Sequence, residues 1–154
     1  MEVRKFKLGD ENELSILIRR TLVEVNEPDC PKEEIDFLYD LYTPEHMIEI
    51  AEKGNCYVIV EDGILIGTGT ILPDKEGESE IVGAFLLPEY IGKGYGRVLF
   101  DTLESDELFT SVDRVWLTSS NTALDFYEYY GYEYVYGYRG VDEEGLIVME
   151  KRKK

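Results

Sequence analysis

The stretch PEYIGKGYG, residues 88–96, places three glycines and a lysine within nine residues. It follows the apolar run IVGAFLL, 81–87, and precedes the helix-like segment VLFDTLES, 98–105. The first amides of a helix have no partner inside it, and the peptide dipoles add partial positive charge there, so such a loop attracts an anion. The glycines leave the amides accessible, while Lys93 and Arg97 add positive charge. The local pattern therefore favours a pyrophosphate ligand.

Two better-known phosphate loops fit this stretch badly. The Walker pattern requires Gly-Lys-Ser or Gly-Lys-Thr where the chain has Gly-Lys-Gly, and the dinucleotide pattern requires a third glycine where Leu99 stands. A nucleotide-binding protein is therefore a weaker alternative, and a glycine-rich turn without any ligand is another. The loop alone does not decide between these interpretations and a pyrophosphate site.

Outside the loop, hydrophobic periodicity divides the chain into helices and strands. Helical spacing of apolar residues predicts helices over 10–25, 35–41, 44–51, 95–105 and 123–130. Strands are predicted over 3–6, 80–87, 114–118, 132–139 and 146–150, with a hairpin over 56–72 that turns at Asp62 and Gly63. This order predicts one domain, residues 1–154, of the α/β class (mixed α+β) with a mixed sheet, and a basic tail, 151–154, that frays.

Acidic residues outnumber basic ones 33 to 16, which gives a net charge of −17. This charge repels nucleic acid and favours cationic small molecules or basic peptides, or else serves solubility alone. No segment is long and apolar enough to cross a bilayer, and the N-terminus lacks the apolar core of a signal peptide. We therefore expect a cytoplasmic protein with reduced thiols at Cys30 and Cys56. One histidine and two scattered cysteines give no metal-ligand spacing, so no metal is expected.

A second motif lies downstream, in the stretch LTSSNTALDFYEYYGYE, 117–133. It has Asn121, Ala123 and the pair Phe126-Tyr127 after a predicted strand, and a Gly-aromatic pair follows. Together with the glycine loop, this stretch resembles the GNAT superfamily of N-acetyltransferases, whose loop reads Arg/Gln-x-x-Gly-x-Gly/Ala. The chain departs from that loop at Ile91, where the family usually has Arg or Gln. The resemblance covers nearly the whole chain and implies a GNAT-like fold, a central twisted sheet of about 6–7 strands flanked by about 4–5 helices.

By this resemblance the cofactor is acetyl-CoA. Its pyrophosphate would lie on the backbone amides of the glycine loop, and its pantetheine arm would pair with the backbone at the end of the preceding strand. Asn121 would contact the part of the cofactor nearest the thiol. The cofactor-binding residues implied are Leu86, Leu87, Ile91, Gly92, Lys93, Gly94, Tyr95, Gly96, Arg97 and Asn121.

An amine acceptor needs a base, because only about one in a few thousand molecules of a primary amine is neutral at pH 7. Glu80 is the leading candidate, since a glutamate at the matching distance before the loop serves as base in some GNAT enzymes. Burial beside other acids would raise its pKa towards the useful range. A bulge at Gly83 would change which later residues share its face of the strand. A solvated strand-end carboxylate at Glu80, or a base water held by another acid, stays an alternative.

The family commonly uses the tyrosine of its Phe-Tyr pair to protonate the departing thiolate, so the resemblance implies that Tyr127 is the acid. The amide of Leu86 is a candidate donor to the thioester carbonyl, where negative charge develops. Tyrosines 132, 134, 136 and 138 alternate along the predicted strand 132–139. They form a packing surface, a homodimer interface or an amine pocket.

The sequence therefore predicts a CoA-dependent N-acetyltransferase. It would move an acetyl or other short acyl group directly to the amine of a cationic small molecule or a basic peptide. The alternative is a non-catalytic acyl-CoA sensor or interaction module with the same fold. Both hypotheses predict CoA binding, and they differ in whether acetyl-CoA is consumed when an amine is present.

Overall fold

The computed structural model describes residues 1–153, which form one seven-stranded sheet with helices on both faces. The strands are β1 (Glu2–Lys5), β2 (Asn55–Glu61), β3 (Ile64–Pro73), β4 (Glu78–Leu86), β5 (Arg114–Ser119), β6 (Glu133–Tyr134) and β7 (Ile147–Arg152). The helices are α1 (Glu11–Thr21), α2 (Lys32–Leu41), α3 (Pro44–Lys53), α4 (Tyr95–Glu104), α5 (Glu107–Thr110) and α6 (Leu124–Tyr129). The spatial strand order is β1-β2-β3-β4-β5-β7-β6, and only β4 and β5 run parallel. The predicted mixed α/β class is confirmed.

The hairpin between β2 and β3 turns at Asp62 and Gly63, as predicted. Both residues have positive φ, 51° and 76°, which is the requirement of a type I′ turn. Glu61 and Ile64 pair directly across the turn. The hairpin therefore fixes the register of the central strands next to it.

Apolar side chains form two clusters, one on each face of the sheet. On one face α1 packs on β3 and β4, α3 packs on β2 and β3, and together they bury Leu14, Leu17 and Met47. On the other face α4 packs on β2 and β3 and buries Leu99 and Leu103. Burial on both faces explains why the central strands have apolar residues on both sides.

The two parallel strands, β4 and β5, stay together for only three residue pairs. The last pair joins Glu80 to Trp116, although β4 continues to Leu86 and β5 to Ser119. A register shift against β3 accompanies Gly83, which has φ of 62°. This is the bulge that glycine often marks in a strand. Beyond Glu80 the two strands separate and leave a gap in the middle of the sheet.

The predicted strand 132–139 is wrong in its extent, because only Glu133 and Tyr134 pair with β7. Gly137 and Arg139 have positive φ, 84° and 56°, which extended pairing does not allow. The tyrosines therefore do not share one strand face. Tyr132 is buried, whereas Tyr138 is 75% exposed. The homodimer hypothesis stays a prediction, but fewer tyrosines are available to form one aromatic surface.

Two further boundaries differ from the predictions. The first long helix ends at Thr21, and the chain continues as a π-helical turn over Leu22–Asn26. At the C-terminus, Lys151 lies within β7 and pairs with Glu104 instead of fraying. Lys154, the last residue of the predicted tail, lies outside the described residues. Within residues 1–153, no helix is long and apolar enough to cross a membrane.

Candidate active site

The gap between β4 and β5 opens into a cavity of about 1060 Å³. One wall is β4 from Ile81 to Leu86, and a second contains the end of β5 with Tyr127. The glycine loop, the start of α4, residues of α2 and the π-helical turn complete the lining. The cavity therefore joins the motif around residue 94 to the motif around residue 127, which are far apart in the sequence.

The glycine loop opens its backbone towards this cavity. Gly94 caps α4 with φ of 92°, Gly92 has φ of 79°, and a Cβ at either position would meet nothing within 4 Å. The Val98 N–H is the first amide of α4 that donates within the helix, and its acceptor is the Gly94 carbonyl at 3.3 Å. The preceding amides, up to that of Arg97, therefore point out of the helix end and can receive an anion.

Gly96 serves packing rather than backbone freedom. A Cβ at this position would lie 3.1 Å from Cε1 of Phe126, so a side chain would push α4 away from α6. Gly96 therefore lets the two sequence motifs approach each other.

The side chains of the loop differ in what they face. Ile91 and Arg97 line the cavity, and Ile91 is 45% exposed. Lys93 is exposed outside the lining. The hydroxyl of Tyr95 points to the β2–β3 hairpin and donates to Glu61 Oε2 at 2.8 Å. The polar contacts available to an anion at this end are thus backbone amides and the Arg97 guanidinium.

At the end of β4, one backbone amide faces the gap. The Leu87 N–H donates to the Ile66 carbonyl of β3 at 2.8 Å. Because pairing alternates along an antiparallel ladder, the N–H of Leu86 points the other way, where β5 has separated. The Leu86 carbonyl accepts from the Thr21 hydroxyl at 2.8 Å. Leu86 therefore offers a free donor in the cavity wall, while the Leu87 N–H is already used.

Glu80 lies at the apex of the gap, in the last residue pair before β4 and β5 separate. Burial, together with the charge of Asp74, raises the pKa of its carboxyl to about 7. This value suits a base at neutral pH. Glu80 does not itself line the cavity, and its role as the base stays a prediction.

Tyr127 lies on α6 and lines the cavity while its ring is packed in an aromatic cluster. Its ring centroid is 5.4 Å from that of Phe100 and 5.8 Å from that of Tyr132. Burial raises the pKa of its hydroxyl, which stays protonated at neutral pH. No described residue hydrogen-bonds this hydroxyl, so it is available to donate to a bound group.

Asn121 lies beside the cavity and is not among its lining residues. Its amide Nδ2 donates to the Asp29 carbonyl at 2.7 Å. Next to it, Asn26 Nδ2 donates to Thr122 Oγ1 at 3.0 Å. These two hydrogen bonds join the segment after α1 to the segment after β5 across one side of the gap. The cofactor contact proposed for Asn121 stays a prediction.

Acidic side chains outnumber basic ones in the lining of the cavity. Glu33 and Glu34 of α2 line it, and so does Glu144. Burial raises the pKa of Glu34. Among residues 1–153, Arg97 is the only basic side chain in the lining. The acidic side chains of the lining therefore favour a positively charged molecule in the cavity.

Both cysteines are free thiols. Cys30 lines the cavity, but burial raises its pKa, so the nucleophilic thiolate is disfavoured. Cys56 belongs to β2 and is buried in the cluster with α1 and α3, and burial raises its pKa too. Within the described part of the chain, no group of three or more His, Cys, Asp or Glu side chains is placed to hold a metal ion.

The sequence interpretation missed three residues that border the cavity. Thr21 ends α1 and Asn26 ends the π-helical turn, and both are buried polar residues where the sequence shows an ordinary amphipathic helix. Tyr42 follows α2 and is also buried in the lining. Thr21 could have been found from the sequence, because it is a polar residue at a position where the helical spacing predicts burial. No local signal distinguishes Tyr42 from the other eleven tyrosines of the chain.

Sequence comparison identifies the class of protein. The profile of the acetyltransferase (GNAT) family matches residues 19–132, which is well over half of the chain. The protein therefore belongs to the GNAT family of N-acetyltransferases. A comparison with curated proteins gave no significant match.

Solved structures agree with this assignment at the level of the fold. PaiA N-acetyltransferase from Thermoplasma acidophilum, in complex with coenzyme A, is similar over 98% of each chain with a TM-score of 0.83 and 19% identity. An acetyltransferase of the GNAT family from Staphylococcus aureus Mu50 is similar over 99% of each chain, with a TM-score of 0.77 and 14% identity. An aminoglycoside 6'-N-acetyltransferase complexed with coenzyme A covers 99% of this chain and 97% of its own, with a TM-score of 0.75 and 18% identity. The predicted GNAT-like fold is confirmed.

Proposed function

We propose that this protein binds acetyl-CoA, or another short acyl-CoA, and transfers the acyl group directly to the amine of a cationic acceptor. The observation that carries the proposal is that one cavity contains an anion-accepting helix start, a free main-chain donor and a protonated tyrosine. The glycine loop provides the first, Leu86 the second and Tyr127 the third.

The chain fits coenzyme A by the chemistry of its exposed groups. The amides between Gly92 and Arg97 would hold the pyrophosphate, and the space in front of Gly92 and Gly94 admits it. The backbone of β4 at Leu86 would pair with the amides of the pantetheine arm in place of the missing strand. When bound, acyl-CoA supplies a thioester as the activated acyl group. Ile91 offers this ligand no polar side chain, so affinity rests on the amides and on Arg97.

Three groups of the chain then act on the reaction. The Leu86 N–H donates to the carbonyl oxygen on which negative charge develops. Glu80, with its pKa of about 7, takes the proton of the amine through an intervening group. Tyr127 donates a proton to the departing thiolate. No covalent enzyme intermediate is needed, and Cys30 has no partner that would activate it.

The acceptor is proposed to be a cationic amine. The carboxylates of Glu33, Glu34 and Glu144 belong to residues that line the cavity. The net charge of −17 adds a field that attracts cations. A polyamine, an amino sugar and a basic peptide terminus share this chemistry.

The test is a thiol-release assay with acetyl-CoA and a panel of cationic, neutral and anionic amines, run on the wild type and on Tyr127→Phe. We expect cationic amines to be acetylated, and Tyr127→Phe to lower kcat about 10²-fold while calorimetry shows unchanged CoA binding. Tyr136→Phe is the matched control, because Tyr136 is exposed and lies outside the cavity lining. Full kcat in Tyr127→Phe would remove its assignment as the acid. CoA binding without turnover of any amine would favour the acyl-CoA sensor instead.

A further inference from the structure

Tyr42 is held in the cavity wall from three sides. It follows α2, its N–H donates to the Leu38 carbonyl at 3.0 Å, and its carbonyl accepts from the buried Ser15 hydroxyl at 2.6 Å. Its ring packs edge-on against His46 of α3 and Phe85 of β4, with centroids 5.4 Å and 5.8 Å apart. The side chain is only 6% exposed. Its orientation is therefore fixed by packing before any ligand binds.

The hydroxyl at the end of this fixed ring has no protein partner among the described residues. It lies at the bulge of β4, where a Cβ on Gly83 would be 3.2 Å from the hydroxyl oxygen. Both Tyr42 and Gly83 line the cavity. The ring is buried, but the hydroxyl oxygen is not among the fully buried atoms without a partner, so it keeps access to the cavity. A hydroxyl in this place can take a ligand or a water as its partner.

Glu80 and Tyr42 lie on the same side of the sheet. The Ser79 hydroxyl donates to the Leu108 carbonyl, which places Ser79 on the α5 side and its neighbour Glu80 on the opposite side. Val82 packs in the same cluster as Tyr42, on that opposite side. Burial and the charge of Glu80 raise the pKa of Tyr42 to about 12, so the phenol is neutral at pH 7. A neutral phenol can accept one hydrogen bond and donate another at the same time.

We propose that Tyr42 relays the proton of the acceptor amine to Glu80, which does not reach the cavity itself. The relay rests on the proposed acyl transfer. Before attack, the ammonium nitrogen gives one proton to the Tyr42 oxygen while the Tyr42 hydroxyl proton passes through one bridging water to the Glu80 carboxylate. The neutral amine nitrogen then forms a bond to the acyl carbon, the carbon–sulfur bond breaks, and its electron pair leaves with the sulfur. Tyr127 gives its proton to that sulfur, and the second proton of the nitrogen restores Tyr127 through solvent. Tyr42 ends as it began, and Glu80 is neutral.

The variant Tyr42→Phe distinguishes a structural role of the hydroxyl from a relay. Tyr42→Phe keeps the ring and its contacts with His46 and Phe85, and it removes a group that bonds no protein atom. We therefore expect an unchanged melting temperature and unchanged CoA binding, with kcat lowered roughly 10²-fold for a strongly basic alkylamine. An alkoxyamine is already neutral at pH 7 and needs no base before it attacks, so its kcat should fall far less.

The first measurement besides activity is a carboxyl ¹³C titration of Glu80 in both proteins. The titratable groups packed near the Tyr42 ring are Glu80 from β4, His46 from α3 and Cys56 from β2, and Asp74 acts on Glu80. In the proposed relay, the hydroxyl holds a water against the carboxylate, and that water stabilises the charged form of Glu80. Tyr42→Phe should therefore raise the midpoint of Glu80, and the rising limb of the pH–rate profile should move with it. Tyr39→Phe is the control, because the Tyr39 ring lies outside the cavity under Arg19.

The double variant separates a shared proton path from two independent effects. If Tyr42 acts through Glu80, Tyr42→Phe with Glu80→Gln should be no slower than Glu80→Gln alone. Multiplicative losses, or an unchanged Glu80 midpoint, would overturn the relay. If the wild type acetylates no amine at all, the proposed function fails, and that result is distinct from an active wild type with an equally active Tyr42→Phe.

Discussion

At Glu80, burial and the negative charge of Asp74 act in the same direction on one carboxyl group. In the unfolded chain this carboxyl has an ordinary pKa, whereas in the folded protein its pKa is about 7. The folded state therefore holds a proton that the unfolded state has lost between about pH 4.5 and pH 7. Stability from this group is complete below that window and falls as the pH rises through it.

Glu80→Gln should consequently stabilise the protein at pH 8 and leave it almost unchanged at pH 5. At pH 8 the wild type has a poorly solvated charge that glutamine lacks, and we expect a gain of about 1–2 kcal/mol after allowance for partial solvent access. Urea unfolding at the two pH values measures this difference. Glu49→Gln, on the exposed side of α3, is the control. An equal effect of Glu80→Gln at both pH values would contradict the raised pKa.

The sequence predicts single residues well where a motif fixes their place. Tyr127 follows Phe126 in a recognisable stretch, and the structure places it in the cavity wall. Tyr42 could not be found in this way, because its role depends on the bulge at Gly83, about 40 residues later in the chain. The position of Glu80 one step outside the cavity likewise follows from where two strands separate, which no local pattern encodes.

Among the elements, the glycine loop and α4 are the ones whose proposed function, binding CoA, can be tested most directly. Gly94→Ala would place a Cβ in front of the helix amides and force a left-handed conformation on alanine, at a cost of about 1–2 kcal/mol. We expect CoA affinity to fall about tenfold, since charge-assisted hydrogen bonds to those amides would weaken. Calorimetry with CoA measures this loss.

Gly63→Ala is a matched control for backbone strain. Gly63 also has positive φ and free space at the Cβ position, but it lies in the β2–β3 turn, away from the cavity lining. It should lose a similar amount of stability and keep its CoA affinity. Equal affinities in the two variants would mean that the loop does not hold the ligand.

Element boundaries were predictable where local signals agree. The Asp62-Gly63 turn requires positive φ, and the helix start at Tyr95 follows from the glycines, so both were predicted correctly. The strand 132–139 was overestimated, because alternating tyrosines imitate a strand while Gly137 and Arg139 break the pairing. The length of a strand depends on its partner, and β7 offers β6 pairing for only two residues.

At the scale of the whole molecule, the proposed cationic acceptor would be attracted by the net charge of −17. With acetyl-CoA saturating, kcat/KM for a cationic amine should fall several-fold between about 10 mM and 500 mM salt, because ions screen the attraction. A neutral hydroxylated amine analogue of similar size should show little change. Initial rates at several salt concentrations test this prediction. A flat profile for the cationic amine would leave the charge with a role in solubility alone.

Where β4 and β5 separate, beyond Glu80 and Trp116, each strand has one unpaired edge within the sheet, in addition to the two outer edges of the sheet. Ordinary edges are protected by short strands, charges or covering loops, because an unpaired strand recruits other strands. Here the inner edge at Leu86 lines the cavity, and its carbonyl accepts from Thr21 at the end of α1. Under the proposed function, the pantetheine arm pairs with this edge in the position that another strand would take. The edge is then covered when the cofactor binds and exposed again when it leaves, once in each catalytic cycle.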